Sequence, residues 1–191
     1  MKSMKHSRTT ALVALCLFAG TASAHTGDHL ATGFIGGLAH PLTGLDHLLA
    51  MIAIGLWAAQ QGGRALWVVP ATFVGAMGLG SVLAGVGWVL PQVETAIALS
   101  VLVLGLLIAT RRQWTVIAGM AIAAVFAIFH GYAHGLEMPQ AASPVLYATG
   151  FVLATAFLHG VGIASSLIGR HAIRVVGIGI AATSLALIVG M

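Results

Sequence analysis

Two short stretches hold most of the residues in this chain that could do chemistry. AHPLTGLDHLLAM, residues 39–51, sets His40, Asp46 and His47 around a proline, and FHGYAHGLEM, residues 129–138, carries His130, His134 and Glu137. On a helix that turns about 100° per residue, positions 130, 134 and 137 fall within about 60° of arc. Two imidazoles one turn apart with a carboxylate on the same face can ligate zinc, nickel, cobalt, copper or iron. The plainer reading is an interfacial His/Glu cluster at a helix end, close to where Pro139 stops the helix. Gly135 could loosen the helix before Glu137, which makes Glu137 the least secure member.

The first stretch has two geometries open to it. His40 and His47 are seven residues apart and share a face if one helix runs through Pro41; if it breaks there, the break folds His40 toward Asp46 and His47. Thr43 and Asp46 also stand at capping-box spacing, so Asp46 could simply cap a helix start. A third candidate is His159 in ATAFLHGVG, with Thr155 and Ser166 on its helical face. A lone histidine there could be a metal ligand, or it could do no more than hydrogen-bond a neighbouring carbonyl. Met51, one turn after His47, reads as core packing. Glu94, just after Pro91, reads as a charge suited to the start of its helix.

These residues must be positioned by an extremely apolar chain, 59% hydrophobic and 6% charged, with a mean hydropathy of +1.04. Runs of about 20 apolar residues are transmembrane helix candidates. Lys2, Lys5 and Arg8 precede the short run from Ala11 to Ala22, which ends in Ala22-Ser23-Ala24. Residues 1–24 therefore read as a cleavable signal peptide, the run being too short for an uncleaved first helix, and residues 25–191 as a transmembrane domain. Cleavage removes every lysine and Cys16, the only cysteine. Any metal chemistry then falls to nitrogen and oxygen donors, with methionine as the one soft alternative. It also exposes His25 as the new N-terminus, where its amine and imidazole, with Asp28 and His29, form an outer metal-capture candidate or merely a solvated end.

The fold expected is all-α and polytopic, with six transmembrane helices near Gly44–Gln60, Ala65–Val89, Val93–Thr110, Trp114–His134, Val145–Ile168 and Ala172–Gly190. Pro41 and Gly44 interrupt the apolar region from Leu30 to Ala59, so a broken or re-entrant segment comes before the first span. The remaining basic residues, Arg64, Arg111, Arg112, Arg170 and Arg174, fall in or beside the first, third and fifth links. By the positive-inside rule those links face the cytoplasm, which puts both mature termini and both His/carboxylate clusters on the periplasmic side. The formal charge of +4 is thus a topology signal and implies no nucleic-acid partner. Small residues at four-residue spacing around Gly75, Leu79, Leu83 and Gly87, with Gly78 and Gly80 beside them, predict close helix packing. No GxxxxGK[ST] phosphate loop occurs, so the chain does not itself hydrolyse ATP.

HPLTGLDHLLAM, its continuation IAIGLWAAQQGG, FHGYAHGLEMP and FLHGVG resemble the HupE/UreJ family of bacterial membrane proteins. The likeness covers essentially the whole mature chain and the signal ahead of it. It implies a secondary nickel permease that supplies hydrogenase or urease maturation, some relatives being associated with cobalt. It also implies that His40, Asp46, His47, His130, His134 and Glu137 handle the metal. An early His and Asp-His signature is similar to that of the nickel/cobalt transporters.

The resulting expectation is an inner-membrane permease that carries a divalent transition metal from periplasm to cytoplasm. Ni2+ is foremost, ahead of Co2+, Zn2+ or Cu2+, and no tightly bound cofactor is expected. His159 would be a second station further in. The partners are the bilayer and the ion, with a homo-oligomer and a link to hydrogenase, urease or cobalamin pathways left open. The rival readings are an intramembrane metalloenzyme, with Glu137 or Asp46 as its base, and a metal sensor or assembly factor that binds without transporting.

Overall fold

In lipid, a Leu- and Ala-rich run can satisfy its own backbone groups only by coiling into a helix. The computed structural model, which describes residues 33–139 and 143–190, is helical almost throughout and has no strand among those residues. The proposed signal peptide, and with it His25, Asp28 and His29, lie outside the described residues. The helices are α1 (Phe34–Thr43), α2 (Leu45–Gln61), α3 (Ala65–Gly85), α4 (Val93–Thr110), α5 (Val116–Glu137), α6 (Pro144–Ser165) and α7 (Arg170–Val189). A 3-10 turn, Ser166–Ile168, joins the last two. Helices α3 to α7 are each long and apolar enough to cross a membrane, and α1 with α2, bent by 88°, makes a sixth when the pair is counted as one span. The chain is a multi-pass membrane protein.

The break in the first span falls at Gly44, whose backbone is extended (φ −97°, ψ 123°). Pro41 does not cause it, because it sits inside the last turn of α1. Proline's fixed φ suits a helix, and α1 ends before the missing N–H can unravel more than a turn. A single helix carrying His40 and His47 on one face is therefore not formed; the bend brings them together. Elsewhere α3 stops at Gly85, short of the Val89 expected, and α5 runs through Gly135 to Glu137 without loosening. Thr115 starts α5 by accepting the Ala118 N–H at 3.2 Å.

Helix α2 is the centre of the bundle. From Ala50 to Ala58 only Ile52 is not fully buried, and Trp57, Leu56, Ile54 and Met51 are among the largest buried side chains. Around it the helices pair through facing glycines. A Cβ at Gly80 would strike the Ile128 carbonyl and one at Gly131 the Met77 carbonyl, which pins α3 to α5. Gly105 and Gly177 do the same for α4 and α7, Gly37 and Gly150 for α1 and α6, and Gly55 and Gly162 for α2 and α6. Backbones this close gain dispersion contacts that lipid cannot supply. The stripe expected on α3 is only partly the packed one: Gly80 packs, Gly75 and Gly78 face open space, Leu79 is exposed, and Gly87 lies in the turn after the helix.

The links gather at two ends. Gln61 donates from Nε2 to the Arg112 carbonyl and accepts the Trp114 N–H, while Gln113 donates to the Gln60 carbonyl, so the first and third links meet at one end. Arg64, Arg111 and Arg112 share this end with the exposed Trp67 and Trp114, and exposed Trp88 stands at the other. Tryptophans at both ends and leucine, valine and isoleucine exposed between them suit a bilayer-facing surface.

Candidate metal centre

The end opposite the arginines is where α1, the start of α2, the end of α5 and the start of α6 meet. The bend at Gly44 folds His40 back over α5, where its Nε2 lies 3.0 Å from Glu137 Oε2. His134, one turn before Glu137, has its Nδ1 3.9 Å from the same oxygen. One ligand atom from each of His40, His134 and Glu137 fits within 4.8 Å of the others. Below them the ring of His47 stands 4.2 Å from that of His134 and 5.1 Å from that of His130, centroid to centroid. The six residues of the two sequence motifs thus form one descending cluster. Exposure falls along it, from the Glu137 side chain at 46% to His134 at 3% and His130 at 0%.

Asp46 lies beside His47. Its Oδ1 accepts the His47 backbone N–H at 2.8 Å and stands 2.7 Å from ring Nδ1. A carboxylate can only accept, so Nδ1 carries a proton, and in the neutral ring Nε2 presents the lone pair. The capping box suggested by Thr43 and Asp46 does not form, because the Thr43 hydroxyl donates to the His40 carbonyl instead. Gly44 makes room for the pair, since a Cβ there would lie 2.9 Å from His47 Nδ1 and 3.0 Å from Asp46 Oδ1.

The nitrogens of this cluster have the chemistry of a ligand set. His47 Nε2, His130 Nδ1 and both ring nitrogens of His134 are buried without a hydrogen-bond partner. Leaving such a group unpaired costs about 1–3 kcal/mol, and a divalent cation would offset that cost at several at once. Imidazoles with a carboxylate at the rim suit a borderline transition ion better than calcium or magnesium. Phe151 packs 4.3 Å from the His134 ring, and a cavity of about 310 Å³ between α3, α5 and α6 reaches His134 and Tyr147.

His159 does not join this group. It is 3% exposed with Nε2 unpartnered, and its ring stands edge-on to Phe73 at 5.4 Å. The same Phe73 ring lies 5.8 Å from that of His130. Thr155, on the same helix, turns its hydroxyl to Met51 Sδ at 3.5 Å and not to His159. Met51 is fully buried, and Glu94 is exposed in the first turn of α4.

Sequence reasoning passed over two residues that shape the site. Phe73 packs against the rings of both His130 and His159. Ser100, on α4, places its hydroxyl 2.8 Å from His130 Nε2. A phenylalanine or a serine inside an apolar run is ordinary, and only the partner's position distinguishes these two.

The family model described as HupE / UreJ protein matches residues 13–187. Protein HupE of Rhizobium leguminosarum bv. viciae is similar at 43% identity over 192 residues, covering 98% of this chain and 100% of that protein. No solved structure matches the chain.

Proposed function

Because the chain belongs to the HupE/UreJ family, we propose that it is a secondary permease for a divalent transition metal, Ni2+ first and Co2+ next, carried from periplasm to cytoplasm for metalloenzyme maturation. The observation that carries this reading is the run of four imidazoles from three helices, three of them with unpartnered buried nitrogens, under a half-exposed carboxylate. Glu137 and His40 would meet the hydrated ion, and His134 is shared between that outer trio and the deeper pair His47 and His130. Each step replaces a few waters by imidazole nitrogen. Several modest sites in series let an ion enter without trapping it. His159, whose ring meets the same Phe73 as that of His130, is the next station inward.

The orientation follows the arginines. With their end cytoplasmic, the cluster opens to the periplasm of a bacterial inner membrane, and both mature termini lie there. Helix α2 is about 25 Å long, short of a hydrocarbon core of roughly 30 Å, so Asp46 and His47 sit below the outer surface. Residues 1–24 act as a signal peptide in this scheme, and His25, Asp28 and His29 are an outer collecting point.

Uptake of labelled nickel and cobalt into transport-deficient cells tests the reading. Wild type restores uptake, and His47→Ala or His130→Ala at matched membrane levels reduces it by tenfold or more. Uptake equal with and without the protein removes the permease; undiminished uptake in both variants keeps the permease and removes the site.

A further inference from the structure

Helix α4 contributes no imidazole or carboxylate to the cluster, yet it places one polar side chain against the deepest histidine. Ser100 is fully buried, and its single hydroxyl makes two contacts: the Ile97 carbonyl at 2.7 Å and His130 Nε2 at 2.8 Å. One proton cannot serve both. If the hydroxyl donates to Nε2, the ring's proton must sit on Nδ1, which has no partner, and the serine and Ile97 oxygens meet with no proton between them. If the hydroxyl donates to Ile97, Nε2–H donates to the serine oxygen and both protons are used. The second arrangement makes two hydrogen bonds where the first makes one, and it leaves no buried N–H unpaired.

We infer that Ser100 is a positioning residue that fixes His130 as its Nε2–H tautomer and so leaves Nδ1 bare as the ring's ligand atom. At the neighbouring ring, 5.1 Å away, Asp46 does the converse for His47, holding the proton on Nδ1 and leaving Nε2 bare in the neutral imidazole. The two deepest imidazoles are therefore locked through different ring nitrogens by partners on different helices, α4 and α2, and each keeps one nitrogen bare. Groups that hold the far nitrogen of a metal-binding histidine set its tautomer and angle, and losing one typically costs 10–100-fold in metal affinity. The role of Nδ1 as a ligand rests on the permease reading; the proton on Nε2 does not.

The experiment separates the two. Full-length protein with 15N-labelled histidine, purified in detergent without metal, gives the tautomer of each ring from its nitrogen–proton couplings. The expected result is Nε2–H at His130 and Nδ1–H at His47 in wild type. In Ser100→Ala the His130 preference is lost while the His47 pattern persists, which also reports an intact fold. Titration with Ni2+ then shows affinity 10–100-fold weaker for Ser100→Ala. A wild-type His130 protonated on Nδ1, or a Ser100→Ala protein matching wild type in both spectrum and Ni2+ affinity, overturns the assignment. If His130→Ala binds Ni2+ as wild type does, the metal reading fails, and the tautomer spectrum still decides the role of Ser100.

Discussion

Asp46 holds one carboxylate oxygen against two donors of the same neighbour, the amide and the ring of His47. Two roles fit that geometry, and they differ in what charge does. If Asp46 only satisfies an open amide in the first turn of α2, asparagine serves nearly as well, because it ranks with aspartate at helix starts. If Asp46 polarises His47 so that Nε2 binds a cation, the charge matters, and Asp46→Asn weakens Ni2+ affinity by about 10–100-fold with the fold kept. Ni2+ titration of purified Asp46→Asn beside wild type decides it, and unchanged affinity with unchanged melting assigns Asp46 to the helix end alone. The sequence made the histidines and carboxylates visible because an ionisable residue in an apolar run costs enough to stand out. Ser100 and Phe73 cost almost nothing where they are: a buried serine can satisfy itself on its own helix, as this one does at Ile97, so composition carries no trace of their role.

Helices that are apolar on every side show no stripe to say which face packs. The number of spans was therefore readable, while their rotation was not. Glycine illustrates the gap. Each of His130, His134 and His159 is followed by glycine, yet Gly131 and Gly135 press on the backbone of α3 while Gly160 faces open space. Gly131 lies between two cluster histidines, so its contact with Met77 sets how deeply α5 seats and where both imidazoles point. Gly131→Ala forces the α3 and α5 backbones apart at an overpacking cost of about 1–3 kcal/mol, and it lowers both the melting temperature in detergent and nickel uptake. Gly75→Ala, on the open face of α3, leaves both unchanged or slightly raises the melting temperature through better helix propensity. A Gly131→Ala protein that melts and transports as wild type would show that α3 and α5 do not fix the histidines. The bend at Gly44 was legible as an interruption but not as a right angle, because the groups α1 packs against, Glu137 at His40 and the α6 backbone at Gly37, lie far along the chain.

At the scale of the whole molecule, transport direction depends on which end faces which compartment. The His/Glu cluster and the arginines occupy opposite ends of the bundle. Arginine is the more reliable guide, since basic residues near span ends resist translocation. The signal peptide proposed for residues 1–24 would argue independently for the same topology, since it would deliver the mature N-terminus outside. Two exposed positions read the orientation directly: Val89, in the link after α3, is 79% exposed, and Leu167, in the turn between α6 and α7, is 86% exposed. With Cys16→Ser removing the natural thiol, Val89→Cys and Leu167→Cys each leave one cysteine per chain. In spheroplasts with intact membranes, a membrane-impermeant maleimide labels Val89→Cys and spares Leu167→Cys until detergent opens the membrane. The opposite pattern would place Glu137 and His40 in the cytoplasm. Stations that meet an ion first would then meet it last, and the same descending imidazoles would describe export.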